Sequence, residues 1–193
     1  MKRFGLVGLA ALVFLCLPDV RGWLESRMSL HMAVELPLLF IAGWLIASAA
    51  TLPGTRFEKF DDGGLFAATW ASCVLAFWMV PAALDLAVLE PGTALMKYGT
   101  WALAGCMVGM AQPRITPVLA AFFLGNAGWM TATAGLLYLD AERQLCVNYL
   151  VDDQQATGYA LVAWGVALGG LSLAVLRPLL IQPRAHTDEG VRP

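Results

Sequence analysis

The sequence predicts an all-α fold, a polytopic membrane helix bundle of about six transmembrane helices. Of its 193 residues, 59% are hydrophobic and only 13% are charged, which is about half the charged share of an ordinary soluble domain. The mean hydropathy is +0.69. The charged residues are clustered and leave long apolar runs between them, and a bilayer core about 30 Å thick needs roughly 20 helical residues. A β-barrel would instead show alternating segments of about 10 residues, whereas these runs are apolar on every side.

The charge-free runs set the predicted organisation of the chain. The predicted spans cover residues 4–18, 29–52, 64–88, 95–113, 115–139 and 157–179. The first span follows Lys2 and Arg3 and has the pattern of a signal peptide as well as of an anchor; because no A-x-A site follows, we expect a retained anchor. The short turn QPRITP, with two prolines that cannot continue a helix, predicts that spans four and five form a tight antiparallel pair. Residues 1–182 then form one bundle, and residues 183–193 form a polar cytoplasmic tail.

The distribution of positive charge predicts the orientation. Lysine and arginine are more frequent in the segments that six spans would place on the same side as the amino terminus. Since cytoplasmic loops carry the excess of these residues, we expect both termini in the cytoplasm and a multi-pass protein of the inner (plasma) membrane. The net charge of −2 gives no indication of nucleic-acid binding.

Small and sulfur-containing residues suggest contacts within the bundle. The pairs Gly105–Gly109 and Gly165–Gly169 have the GxxxG spacing that allows helix backbones to approach closely. Cys16 and Cys146 both fall on the predicted external side, where a disulfide is chemically permitted. Cys106, Met107 and Met110 form a soft cluster along the fourth span, for which ordinary apolar packing is the alternative to an inner copper relay.

The second span begins with a stripe of possible metal ligands. Met28, His31, Met32 and Glu35 share one helical face because their offsets are 0, 3, 4 and 7. Thioethers favour Cu(I), and imidazole suits either oxidation state of copper, so this stripe predicts a copper site. The alternative is that the two methionines fill the core and that His31 is an interfacial polar residue.

Several carboxylates fall on the same predicted external side. Glu35 and Asp85 lie in or near the outer part of two spans, where a charge is costly unless it is paired or hydrated. Asp152 and Asp153 lie where the last span begins, and Asp153 is the candidate to join the metal site; capping of that helix is its alternative role. We expect these groups to converge with His31 on one outward-facing polar site.

Two segments resemble a known family. The stretch HMAVELPLLFIAGW (31–44) resembles the HMxxHLLL segment of CtaG-like cytochrome c oxidase assembly factors, and DDQQATGYALVAW (152–164) resembles the DQQxAG segment of that family. Glu35 stands where the family has its second histidine, which removes one soft ligand. The resemblance implies a multi-span membrane protein that delivers or inserts copper during oxidase maturation.

These observations favour a non-enzymatic membrane assembly factor that binds copper through His31, Met32, Met28, Glu35 and Asp153. Its partners would be the lipid bilayer and subunits of a respiratory oxidase or of another membrane complex. One alternative is a metal-free accessory or structural subunit of a respiratory or transport complex. The other is a small haem or quinone redox protein with His31 as an axial ligand.

Overall fold

A computed structural model of the protein describes residues 2–49, 60–141 and 149–181, and within them all regular structure is helical. This confirms the all-α prediction. The elements are α1 (Lys2–Leu15), α2 (Pro18–Leu24), α3 (Met28–Leu30, then a π-helical turn His31–Glu35, then Leu36–Ala49), a 3-10 turn (Asp62–Gly64), α4 (Leu65–Trp78), α5 (Pro81–Leu89), α6 (Pro91–Ala111), α7 (Pro117–Asp140) and α8 (Val151–Ile181). The predicted tail 183–193 and Cys146 lie outside the described residues.

Two prolines begin helices that the sequence did not predict as separate elements, one at the end of the first predicted span and one inside the third. Pro18 and Pro81 each begin a new helix, and the residues before them, Leu17 and Val80, are extended. Proline excludes its predecessor from the helical region and lacks the N–H that would continue the helix. The chain therefore bends by 76° between α1 and α2 and by 79° between α4 and α5. The predicted third span, 64–88, is thus two helices at nearly a right angle.

Two helices in the described part of the chain are both long and apolar enough to cross a membrane, namely Met28–Ser48 and Asp152–Leu179. The number rises to four if each bent pair counts as one broken span. Helices α6 and α7, with 21 and 24 residues, have sufficient length but are less apolar. The structure therefore supports two to four membrane-crossing helices and does not by itself support six.

The π-helical turn in α3 has a local cause in the sequence. Pro37 has no N–H, so the carbonyl of Ala33 loses its usual α-helical donor. The backbone responds with a wider turn in which the N–H of Leu36 donates to the carbonyl of His31. The indole N–H of Trp164 on α8 donates to the Ala33 carbonyl at 2.9 Å. Such turns are frequent at functional sites, and this one carries His31 and Glu35.

Glycine allows α3 and α6 to pack with their backbones in contact. A Cβ on Gly105 would lie 1.9 Å from the carbonyl oxygen of Phe40, and one on Gly109 would lie 2.8 Å from that of Trp44. Both members of the Gly105–Gly109 pair are therefore at a close helix contact, as predicted. Beside them, the thiol of Cys106 lies 3.1 Å from the carbonyl oxygen of Gly43, so this cysteine takes part in the packing.

Helices α7 and α8 form a second unit, an antiparallel hairpin. A Cβ on Gly165 would lie 2.6 Å from the Cβ of Ala132 and 2.7 Å from the carbonyl oxygen of Gly128, whereas one on Gly169 would meet nothing within 4 Å. Only Gly165 of the predicted Gly165–Gly169 pair therefore needs to be small. Helix α7 packs along α8 and hardly touches α6. The predicted tight pairing of spans four and five is wrong, because the small-residue faces of α6 and α7 each meet a different partner.

We predict that Gly105→Ala destabilises the protein by about 1–3 kcal/mol, since the added methyl group would overlap the backbone of α3. Gly99→Ala is the matched control on the same helix, because nothing lies within 4 Å of its Cβ position and both changes carry the same gain in helix propensity. Unfolding in mixed detergent micelles, followed by circular dichroism, measures both. Equal stabilities of the two variants would contradict the close α3–α6 contact.

Candidate functional site

The polar side chains of the bundle gather at the end where α2, α3 and α6 meet. We call this group the Lys97 cluster; it consists of Arg21, Glu25, His31, Glu35, Lys97, Tyr98 and Tyr149. Glu25 directly follows α2, His31 and Glu35 lie on the π-helical turn of α3, and Lys97 and Tyr98 lie in the second turn of α6. Tyr149 precedes α8. The cluster therefore joins four separate parts of the chain.

The ammonium group of Lys97 is the centre of the cluster. Its Nζ lies 2.8 Å from Oε1 of Glu25, 2.8 Å from Nε2 of His31 and 3.0 Å from Oε1 of Glu35. An ammonium has three N–H donors and no acceptor, so the three neighbours use all of its hydrogen-bonding capacity. The side chain has no solvent exposure, and the three acceptors replace the water that it lost.

This arrangement determines the protonation state of His31. Because Nε2 accepts a hydrogen bond from Lys97, the ring is neutral and carries its proton on Nδ1. Nδ1 lies 2.8 Å from the hydroxyl oxygen of Tyr149 and donates to it. The imidazole is fully buried and both of its nitrogens are engaged, so His31 is fixed between α6 and the segment that leads into α8.

Glu35 has one satisfied and one unsatisfied oxygen. Oε1 accepts from Lys97 and from the hydroxyl group of Tyr98, which also lies 3.1 Å from the carbonyl oxygen of Leu15 at the end of α1. Oε2 has no hydrogen-bond donor although it is buried; it lies 3.5 Å from Nε2 of His31. A buried carboxylate oxygen without a partner is costly, so this atom is a free acceptor inside the cluster.

Charges alternate from the protein surface to the interior. The side chain of Arg21 is 29% exposed, that of Glu25 is 8% exposed, and those of Lys97 and Glu35 are fully buried. Arg21 pairs with Glu25 at 2.9 Å and donates to the carbonyl oxygen of Ala87 on α5 at 3.2 Å. Two cations and two anions balance, which reduces the cost of burying them. This series of charged groups ends at Glu35, whose Oε1 accepts from the hydroxyl group of Tyr98.

The cluster contains a group of potential metal ligands. Ligand atoms of Glu25, His31 and Glu35 all lie within 4.8 Å of one another. Two carboxylates and one imidazole suit divalent ions of borderline character such as Zn²⁺ or Fe²⁺. In this structure, however, Nζ of Lys97 lies within hydrogen-bond distance of all three residues. The ammonium of the chain itself takes the place that a metal ion would need.

The predicted ligands separate into three groups. His31 and Glu35 lie within the cluster, as the shared helical face predicted. Met28 and Met32 are also buried, at 0% and 2% exposure, on the same face of α3. Asp153 does not belong to the Glu25–His31–Glu35 group.

Asp153 instead caps the start of α3. One carboxylate oxygen accepts from the backbone N–H of Met28, and the other accepts from the hydroxyl group of Ser29 at 2.9 Å. This is helix capping, supplied from α8 to another helix, whereas the sequence suggested a metal ligand or a cap of its own helix. The contact ties the α7–α8 hairpin to α3 beside the Lys97 cluster.

Glu25, Lys97 and the two tyrosines were missed as site residues. Lys97 lies near the start of the predicted span 95–113, but Pro91 begins α6 six residues earlier, which places Lys97 well within the helix. A usable signal was present, because a lysine and a glutamate inside two predicted spans need a partner of opposite charge. Glu25 and Tyr149 carried no such signal.

Comparisons of the chain with known protein families, curated proteins and solved structures found no match. The function is therefore inferred from the chemistry of the Lys97 cluster and from the helices that hold it.

We predict that Lys97→Met lowers the free energy of unfolding by about 3–5 kcal/mol, because it leaves two buried carboxylates with one cation fewer. Adding Glu35→Gln restores the charge balance, since Glu25 keeps Arg21 as its partner, and should recover part of the loss. Unfolding in mixed micelles with a chelator present measures the double-mutant cycle. A loss of less than about 1 kcal/mol in Lys97→Met would contradict a buried, fully paired ammonium.

We also predict that Asp153→Ala destabilises the protein by about 1 kcal/mol and increases hydrogen exchange of the backbone N–H of Met28. Asp152→Ala is the matched control, because Asp152 is exposed and has the same relation to the α8 dipole. Exchange measured by mass spectrometry should change in the first variant only. The same change in both variants would mean that Asp153 acts through the α8 dipole alone.

Proposed function

We propose that this protein is a non-enzymatic accessory or assembly subunit of a membrane complex that works without a resident metal. The observation that supports this proposal best is the position of Lys97, whose ammonium donates to Glu25, His31 and Glu35. A site built in this way holds helices together, and it has neither an accessible nucleophile nor an open ligand position. We infer that its role is to fix the arrangement of α2, α3, α6 and α8.

The exposed surface supports an accessory role. Only 11% of the apolar 18-residue stretch within the candidate span Asp152–Leu179 is buried inside the protein, and large apolar side chains such as Tyr159, Val166 and Leu173 point outward. Lipid covers such a face in a monomer, and a partner helix covers it in a complex. Because lipid tails are as apolar as these side chains, polar and close-packed contacts must supply the specificity of such assembly.

We also propose the membrane arrangement to which these helices belong. The proposed arrangement has six crossings of the inner membrane, with both termini in the cytoplasm. Two of the crossings are broken spans, α1 with α2 and α4 with α5, and the other four are α3, α6, α7 and α8. Helices α6 and α7 have sufficient length, and Lys97, the lysine within α6, is paired with Glu35 inside the protein. The Lys97 cluster then lies at the external end.

Copper delivery for respiratory oxidase maturation is the second candidate function. The resemblance to CtaG-like factors supports it, and so does the burial of Met28, His31 and Met32 on one face of α3. It requires Lys97 to withdraw, since Nε2 of His31 is engaged with the ammonium and Nδ1 with Tyr149. Because both ring nitrogens of His31 are already hydrogen-bonded, neither is available to bind a haem iron. This disfavours the alternative of a haem protein with His31 as an axial ligand.

Metal analysis of the protein, purified in mild detergent from native membranes, separates the two candidates. We expect co-purification with other membrane subunits and far less than one equivalent of copper. One equivalent of copper that is lost in His31→Ala, but retained in the control His186→Ala, would overturn the metal-free proposal in favour of copper delivery. A stable, partner-free monomer would contradict the accessory role.

A further inference from the structure

Lys97 occupies the centre of a ligand set that could hold a metal ion. The three acceptors approach its Nζ at 2.8–3.0 Å, whereas zinc-type ions bind oxygen and nitrogen ligands at about 2.0–2.2 Å. Each donor atom would need to move inward by about 0.8 Å to bind such an ion. His31 and Glu35 lie one turn apart on the same helix, so their side chains already share a face.

The unsatisfied oxygen of Glu35 is the second observation. Oε2 is fully buried, accepts no hydrogen bond, and lies 3.5 Å from the same Nε2 of His31 that Lys97 contacts. The ammonium has no fourth proton to give it, so a lysine leaves this atom unpaired. A metal ion, which accepts four or more ligands, could bind this oxygen as well as the other three atoms. The ligand set is thus more complete for a metal than for an ammonium.

We propose that Glu25, His31 and Glu35 form a divalent-metal site that Lys97 keeps closed by competing with the metal. This deepens the proposed function and rests on it, because it explains why the native protein would carry no resident ion. The ligand class is a borderline divalent ion such as Zn²⁺, Co²⁺ or Fe²⁺, since the donors are carboxylate oxygens and an imidazole nitrogen. Cu(I) would need the thioethers, which the described contacts do not bring to Lys97.

The charges of the cluster are compatible with this exchange. A divalent ion in place of the ammonium adds one positive charge to a cluster that is otherwise balanced. This additional positive charge lies near Arg21, whose side chain is 29% exposed, so solvent can screen the repulsion between them.

Cobalt(II) binding to the full-length protein in detergent tests the proposal. Lys97→Leu removes the ammonium, supplies no donor and stops short of the Nζ position. We expect this variant to bind one equivalent of Co²⁺, with the visible absorption of a four- or five-coordinate ion and about 100-fold or more tighter than the wild type, because the native ion pairs no longer compete. Lys97→Leu/His31→Ala is the control and should lose this binding.

The variant remains informative if it does not fold alone. In that case Co²⁺ or Zn²⁺ added during purification should restore a helical, monodisperse protein, since a ligand that binds only the folded state stabilises it, and the control double variant should not respond. Binding no tighter than the wild type, or no rescue by either ion, would overturn the proposal. Tight binding by the wild type itself would instead overturn the metal-free function, so the two failures are distinguishable.

Discussion

The ammonium of Lys97 needs three acceptors once it is removed from solvent, and the polar end of the bundle is arranged to supply them. Glu25 reaches it because Pro18 turns the chain sharply after α1. His31 and Glu35 reach it from a π-helical turn that ends just before Pro37. Without these three contacts a buried lysine would be strongly destabilising. The bend after α1 and the irregular turn of α3 therefore have the same effect, because each places acceptors around the Lys97 ammonium.

The cluster also connects two units that otherwise touch little. Helices α1, α3 and α6 pack through small residues, and α7 packs with α8 in a hairpin of its own. Polar contacts to α3 join them at one end: the hydroxyl of Tyr149 with His31, the carboxylate of Asp153 with the start of α3, and the indole of Trp164 with the Ala33 carbonyl. In a bilayer, where apolar association gains little, such contacts determine how helices assemble.

The sequence predicted the helical class, the shared helical face of His31 and Glu35, and the close contact at Gly105, because each follows from periodicity or residue size. It did not predict that Pro81 divides a span, since hydropathy remains high on both sides of the proline and gives no indication that the chain changes direction there. It also missed Glu25 and Lys97 as partners, because they are 72 residues apart and only the folded chain brings them together. Asp153 was placed at the correct end of the bundle but assigned the wrong contact, since capping and metal binding use the same oxygen atoms.

The protonation of His31 tests the central claim most directly. Nitrogen-15 NMR of the detergent-solubilised protein, at neutral pH and with ring-labelled histidine, distinguishes the neutral forms of the ring from the imidazolium; His186, the only other histidine, is assigned by its alanine variant. A ring held between the Lys97 ammonium and Tyr149 must be neutral, with the proton on Nδ1 and a bare, hydrogen-bonded Nε2. An imidazolium, or a neutral ring with its proton on Nε2, would contradict the three-acceptor site.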